Sequence, residues 1–208
     1  AVDFFYNSRD NGSLPNYIAE TGQLQESGRD QAHCMLGVGV LAELAECAWK
    51  QGDNLYAALD NRIMKGYEYL SKVNLGYTDV PFEVWKDATG KYCNWQNMGE
   101  AELGKFRAVF EIAYNHYVER RGIAMPYTEK VLKRIRPEGI GWTCDNPGFG
   151  TLLFYLGKNE PVPLEGQISE QLKYGWKGGQ IAAPDLEPVG NEFLLVNKGI
   201  SMQKNRIH

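Results

Sequence analysis

The strongest constraint on the fold is a pair of consecutive apolar patterns with helical spacing, separated by a turn of about three residues. The first pattern runs from about Gly28 to Gln51, and the second from about Leu55 to Val73. In both, apolar side chains recur three and four residues apart, as on one face of an amphipathic helix. The segment Gly52-Asp53-Asn54 would end the first helix and cap the second. A turn this short predicts that the two helices pack antiparallel, as an α-hairpin.

Two further helical patterns follow a long loop at residues 74–98. We expect one helix from about Glu100 to Arg121 and a shorter one from about Thr128 to Ile135. A glycine-rich turn segment at 139–150 then leads into residues 151–156. Beyond Gly157, frequent glycine and proline predict an irregular tail, in which 192–196 has the pattern of a short strand.

Helix pairs joined by short turns indicate an all-α chain built as an (α/α) toroid of antiparallel hairpins. A closed ring needs more helix pairs than this chain supplies, so we expect an incomplete toroid over residues 1–157. The irregular tail, residues 158–208, would pack on it. We expect an upstream polypeptide segment to provide the missing helices.

Composition excludes several classes of function. The net charge of −4 gives no basic surface for nucleic acid. The most apolar run, Cys34 to Ala42, is interrupted by Glu43, well short of the roughly 20 residues of a membrane span. The four cysteines show no C-x-x-C spacing, which argues against a zinc or redox motif. The three histidines are far apart and no H-E-x-x-H motif occurs, so we expect no metalloenzyme and no cofactor, with calcium bound by carboxylates as an alternative. Cys93 and Cys144 could form a disulfide, and four reduced thiols are an equal alternative.

The segment from Gly22 to His33 concentrates amides, carboxylates, a guanidinium and an imidazole at the start of an apolar helix. Such a density of polar groups fits a binding or catalytic cleft. An alternative is helix capping, because Ser27 and Asp30 match the S-x-x-D signature of a helix start. Arg29 and His33 would then form an i, i+4 pair on one helix face.

Four sets of residues together resemble the signature of the alginate-lyase-like polysaccharide lyases. The resemblance covers residues 1 to 156 and not the tail. The residues that carry it are Gly22 to His33; Tyr56 to Arg62 with Gly66 to Tyr69; Phe106 and Arg107 with Tyr114 to Tyr117; and Gly148 to Leu152.

The resemblance implies an (α/α) toroid that cleaves an acidic polysaccharide, such as alginate or glucuronan, by β-elimination. Members of the family act on uronic acid chains, and their upstream half usually supplies an Asn or Gln near the substrate carboxylate. A secreted or periplasmic location fits such a substrate. The sequon at Asn11 gives weak independent support for secretion.

β-Elimination requires a base for the C5 proton, an acid for the leaving oxygen and groups that neutralise the substrate carboxylate. His33 is the first candidate, either as the base or beside the carboxylate. Tyr92 in the long loop is preferred as the second group over Tyr114, which has the spacing of a core residue. A catalytic tyrosine needs nearby cations to lower its pKa, and three residues are candidates for that role: Lys86, Lys91 and Arg107.

A second set of residues is expected to bind substrate: Gln23, Gln25, Glu26, Arg29, Gln31 and Lys86. We expect Glu26 and Asp30 to orient Arg29 and His33. The first alternative function is a toroid glycoside hydrolase with paired carboxylates drawn from Glu26, Asp30 and Glu100. A second alternative is a polyuronate-binding module without catalytic activity.

Overall fold

The computed structural model describes residues 2–85, 87–91, 94–142 and 145–156, and the strand residues 186–189 and 192–195. The chain divides into two compact units, one formed by residues 1–49 and 54–162 and the other by residues 50–53 and 163–208. The described part of the first unit is mostly helical, which confirms the helical class expected from the sequence.

Seven α-helices are described in chain order: α1 Val2–Asn7, α2 Leu14–Tyr17, α3 Gln31–Lys50, α4 Ala58–Asn74, α5 Glu111–Tyr114, α6 Pro126–Ile135 and α7 Gly150–Phe154. Short 3₁₀ turns at Gln25–Gly28 and Leu55–Ala57 precede α3 and α4, and a π-helical segment, Asn115–Arg120, continues α5. The second unit contains the antiparallel strands β1, Leu186–Val189, and β2, Glu192–Leu195.

Helices α3 and α4 form the expected antiparallel hairpin. The start of α3 meets the end of α4, where the Asn74 side chain donates a 2.9 Å hydrogen bond to Gln31. Midway along both helices, the Tyr67 hydroxyl donates to the backbone carbonyl of Val38 at 3.2 Å. In the turn, the Asn54 side chain accepts from the backbone N–H of Ala57 at 3.2 Å, which confirms its expected capping role.

The helix expected from Glu100 is wrong over its first eleven residues. Within this stretch Glu102 and Gly104 have φ of 61° and 74°, which a right-handed helix does not allow. The backbone N–H of Gly104 instead donates to the Asn74 side chain at 3.0 Å. The helix begins only at Glu111, so Arg107 lies on an irregular segment, and tertiary contact has overridden the local apolar spacing.

Helix α3 is the core helix of the first unit. Its apolar face is buried by α4 and by the segments that cross it, with Cys34, Met35, Val38 and Ala42 fully buried. Of the described helices, only α3 has the length and hydropathy of a membrane span, and 61% of its most apolar window is buried inside the protein. Those properties therefore match its position in the core.

The structure bears on two further expectations, the short strand in the tail and the state of the cysteines. The short strand expected near residue 192 is present as β2, and its partner β1 was not expected from the sequence. Cys34 and Cys47 carry free thiols, which is compatible with both alternatives for the four cysteines. Cys93, Cys144 and most of the tail lie outside the described residues.

Candidate functional site

The first turn of α3 is capped by Asp30, not by Ser27. One carboxylate oxygen of Asp30 accepts from the backbone N–H of His33 at 2.8 Å, which is the geometry of an N-cap. The Ser27 hydroxyl accepts from the backbone N–H of Leu24 instead, at 3.1 Å. Arg29 precedes the helix, so the expected i, i+4 helical pairing of Arg29 with His33 is wrong.

The other carboxylate oxygen of Asp30 lies 2.7 Å from Nδ1 of His33. In a neutral imidazole this contact places the proton on Nδ1 and leaves Nε2 as a proton acceptor. Nε2 makes no hydrogen bond to any residue that the structure describes. The His33 side chain is 38% exposed, so an external molecule can reach this ring.

Arg29 and Asp30 form a charged group around this histidine. The Arg29 guanidinium lies 3.3 Å from Glu26 and 3.7 Å from Asp30. Burial alone would raise the pKa of Asp30, but hydrogen bonds from the His33 backbone and ring, with the charge of Arg29, outweigh it and lower the pKa. Asp30 is therefore held as a carboxylate, and the expected contacts of Glu26 with Arg29 and of Asp30 with His33 are both present.

A cavity of about 390 Å³ opens beside the exposed face of α3; we call it the α3 cavity. Its lining comprises Asn11, Gly12, Tyr17, Gln25, Glu26, Arg29, Gly37, Val40 and Leu41. Three of the residues expected to bind substrate, Gln25, Glu26 and Arg29, are thus brought to one opening. The amide nitrogen of Gln25 is buried and has no hydrogen-bond partner among the described residues.

Tyr17 belongs to the same site and was not identified from the sequence. Its hydroxyl donates to the backbone carbonyl of His33 at 3.3 Å, and the residue is half-buried. Burial raises its pKa far above the ordinary value, and the nearby Cys34, Glu26 and Asp30 add to that effect. A Cβ on Gly37 would collide with this hydroxyl, so the glycine in α3 was the sequence signal for a close neighbour.

Gln23 and Gln31 are placed differently from what the sequence predicted. Both are about 98% buried or more. The Gln23 amide exchanges two hydrogen bonds with the backbone of Glu83, at 2.7 and 2.8 Å. The Gln31 amide donates to Gly99 at 2.8 Å and accepts from Asn74 at 2.9 Å. Both side chains fasten the long loop to the helices, so the prediction that they contact substrate is corrected.

Arg107 lines a second cavity, of about 280 Å³, together with Trp142 and Glu138. Its guanidinium lies 3.8 Å from the centre of the Trp142 ring and makes no hydrogen bond or ion pair with a described residue. Burial lowers its pKa, while the charges of Asp145, Asp30 and Glu102 act in the opposite direction. The carboxylate of Asp30 therefore lies within electrostatic range of Arg107 and in direct contact with His33.

Tyr114, the second tyrosine candidate, is 8% exposed and lies on α5. Its ring is 5.6 Å from the Arg136 guanidinium. Burial raises its pKa, and Glu129, Glu119 and Glu111 raise it further, against the lowering effect of Arg136. This is the reverse of what a tyrosinate base requires. Tyr92 and Lys86 lie outside the described residues, and the neighbouring Lys91 is exposed.

Glu138 is a further titratable group that the sequence did not single out. Its Oε1 accepts from the backbone N–H groups of Phe110 at 2.7 Å and Glu111 at 3.3 Å, so it caps α5. Burial raises its pKa to about 7 against the lowering effect of those hydrogen bonds. The pKa is raised because the carboxyl group is enclosed beside the buried Glu111. No local sequence motif predicts this environment.

The described residues contain no group of three His, Cys, Asp or Glu side chains that could hold a metal ion. The side chains described at the site are a partly exposed imidazole, its carboxylate partner and two guanidinium groups. Comparison of the chain with protein-family models, with curated proteins and with solved structures gave no match.

Proposed function

We propose that this protein is a polysaccharide lyase that cleaves a uronic acid chain by β-elimination. The observation that carries the proposal is the contact of His33 with Asp30 at 2.7 Å, on a ring that is 38% exposed. That contact leaves Nε2 as the proton acceptor of an accessible base, with cationic groups nearby. The sequence resemblance over residues 1–156 points to the same chemistry.

In the proposed reaction, Nε2 of His33 removes the proton from C5 of a uronate unit. The electrons of the C5–H bond form the C4–C5 double bond, and the bond from C4 to the glycosidic oxygen breaks. A tyrosine hydroxyl protonates the leaving oxygen. Tyr92 remains the preferred donor, because the surroundings of Tyr114 raise its pKa and enclose it.

The carboxylate on C5 must be neutralised as negative charge develops there. Arg107 suits this role, because its guanidinium donors bind no described residue and lie within range of Asp30. Stacking on Trp142 fixes the plane of the guanidinium and leaves its edge available for a carboxylate. Arg29 would act beside it, already oriented by Glu26.

A glycoside hydrolase is less well supported. Such an enzyme needs one carboxyl group with a raised pKa as the general acid. Glu138 has a raised pKa, but it is 5% exposed and its Oε1 accepts from the backbone N–H groups of Phe110 and Glu111. The pKa of Asp30 is lowered, and its two oxygens are engaged by the backbone and ring of His33. Glu26 is paired with Arg29, and Glu100 lies exposed on a turn.

The α3–α4 hairpin supports a toroid as the wider architecture, and we propose that further helices beyond the described hairpin complete it. An acidic polysaccharide is the proposed partner, and secretion or a periplasmic location is proposed with it.

The test is an assay of purified protein on alginate enriched in mannuronate, alginate enriched in guluronate, and glucuronan. A lyase generates conjugated 4,5-unsaturated ends that absorb near the ultraviolet edge. We expect at least one polymer to give this product. His33→Ala should lower the rate by about 10²- to 10⁴-fold, the usual contribution of a positioned acid or base.

Tyr92→Phe and Tyr114→Phe, assayed side by side, separate the two tyrosine candidates. We expect Tyr92→Phe to lose cleavage activity. Loss of activity in Tyr114→Phe alone would assign the role of proton donor to Tyr114. Release of reducing ends without ultraviolet absorption would instead identify a hydrolase. Unchanged activity in a folded His33→Ala protein would refute the proposed base.

A further inference from the structure

The α3 cavity lies along the same face of α3 as His33. Gly37 and Val40 follow His33 at i+4 and i+7, which places the three residues on one side of the helix. At 1.5 Å per residue, Gly37 lies about 6 Å further along the helix axis than His33, and Val40 about 10 Å. Gly37 and Val40 both line the cavity.

Contacts at the helix start connect the cavity directly to His33. Tyr17 lines the cavity, and its hydroxyl binds the backbone carbonyl of His33. Arg29 also lines the cavity and lies 3.7 Å from Asp30, the partner of the His33 ring. A molecule held in the cavity would therefore extend towards the imidazole.

The lining of the cavity combines an apolar side with polar groups that suit hydroxyls. Val40 is 47% exposed although it is apolar, and Leu41 lies beside it on α3. Facing groups come from Asn11, Gln25 and Glu26. The buried amide nitrogen of Gln25 has no acceptor among the described residues, and an unsatisfied buried donor is destabilising unless a ligand supplies the acceptor. A pyranose ring offers both an apolar face of C–H groups and hydroxyl oxygens at its rim.

We propose that the α3 cavity is a subsite for a sugar unit next to the one that reacts at His33. The inference rests on the proposed function for the identity of the polymer, a polyuronate. The ring of the neighbouring unit would lie against Val40 and Leu41. Its hydroxyls would bind Gln25 and Glu26, and its carboxylate would face Arg29.

The test places a larger side chain at Val40, the exposed apolar residue of the cavity lining. Val40→Trp occupies space that the sugar would take, and Cys47→Trp adds the same side chain at another exposed position of α3, outside the cavity lining. Both changes are made in the His33→Ala background, so that binding is measured without turnover. The probes are alginate and glucuronan oligomers of defined length, titrated by calorimetry.

We expect Val40→Trp to weaken binding about tenfold or more, Val40→Phe to weaken it less, and Cys47→Trp to leave it unchanged. In the protein with His33 intact, Val40→Trp should raise KM with little change in kcat, as expected for loss of uniform binding. Equal affinity of the folded Val40→Trp and Cys47→Trp proteins would overturn the subsite.

Failure of the subsite and failure of the proposed function give different results. Binding that is sensitive to Val40→Trp, in a protein that produces no unsaturated ends, supports the subsite and refutes the lyase. Cleavage that is insensitive to Val40→Trp supports the lyase and refutes the subsite. Circular dichroism spectra of all variants establish that the comparisons concern folded protein.

Discussion

The polar groups at the start of α3 and those around Glu111 use similar side chains in opposite surroundings. At the start of α3, Asp30 holds a histidine that is 38% exposed. Around the fully buried Glu111, the Arg136 guanidinium donates at 2.5 and 2.8 Å, and Asn115 and Thr151 donate at 2.7 and 2.9 Å. In the second cluster both carboxylate oxygens of Glu111 accept hydrogen bonds from within the protein, whereas the first leaves one imidazole nitrogen without a described partner.

The difference fits a structural role for the Glu111 cluster and the catalytic role that we propose for the groups at the start of α3. Buried charges are costly unless each is paired and hydrogen-bonded, so the Glu111 cluster has little capacity to engage a ligand. The groups at the start of α3 are partly hydrated, so replacing their water with substrate costs little desolvation free energy. Substitutions in the two clusters should therefore separate stability from activity.

The largest effect on stability is expected for Glu111→Ala. It leaves Asn115 and Thr151 without their buried acceptor and Arg136 without its ion partner. Because the Arg136 side chain is 36% exposed, water screens its charge, and we expect about 2–4 kcal/mol, less than for a fully buried pair. The free energy of unfolding from urea titration measures it. Glu129→Ala is the matched control, because Glu129 forms an exposed i, i+4 pair with Lys133 and should cost about 0.5 kcal/mol or less. Equal losses in the two variants would contradict the structural role of Glu111.

A pH-dependent effect is expected at Glu138, whose pKa is raised from 4.5 to about 7 in the folded protein. Folding favours its protonated form, so its contribution is complete below about pH 4.5 and is lost as the pH rises to about 7. A shift of this size corresponds to about 3 kcal/mol. Glu138→Gln keeps an oxygen for the caps of α5 and cannot ionise.

We therefore expect Glu138→Gln to be more stable than the parent protein at pH 8 and nearly equal to it at pH 4. Unfolding titrations at both pH values provide the measurement. A difference between the two proteins that is independent of pH would show that Glu138 does not titrate in this range.

Gly37→Ala is expected to destabilise the protein by about 1–3 kcal/mol, because the new methyl group would collide with the Tyr17 hydroxyl. Adding Tyr17→Ala should recover part of the loss, since it removes the hydroxyl together with the ring carbons that would also collide with the methyl group. Gly139→Ala is the control, with no neighbour near the added Cβ. Thermal unfolding of the parent protein, the two single variants, the double variant and the Gly139→Ala control measures the effect, and additivity of the two changes would argue against this contact.

The smallest effect on stability is expected for substitutions of Asp30, the carboxylate at the start of α3. Asp30→Ala removes the N-cap of α3 and should cost about 1 kcal/mol. Asp30→Asn retains a capping oxygen and should fold almost as stably. Both should lower cleavage of polyuronate about ten- to a hundredfold, because the His33 ring loses its carboxylate partner. An Asp30→Asn protein of full activity would show that this carboxylate only caps the helix.

Local apolar spacing predicts the structure correctly where no distant contact intervenes. The α3–α4 hairpin and its Asn54 cap follow from apolar periodicity and turn chemistry. The prediction from spacing failed at residues 100–110, because the Asn74 side chain captures the backbone of Gly104 and no local pattern records that contact. The polar residue types of Gly22–His33 indicated a site, but they did not distinguish Gln25 from Gln23 and Gln31. Gln25 lines a cavity, whereas Gln23 and Gln31 form hydrogen bonds with the backbone of the long loop.

By itself, the sequence determined that two long amphipathic helices pair and that ionisable groups gather at the start of the first. Only the tertiary structure decided which of those groups remain accessible. It placed the Tyr17 hydroxyl beside His33, brought Arg107 within range of Asp30 and enclosed Glu138 and Tyr114. The physical reason is that a side chain's hydration, and with it its pKa and its available hydrogen bonds, depends on neighbours distant in the chain.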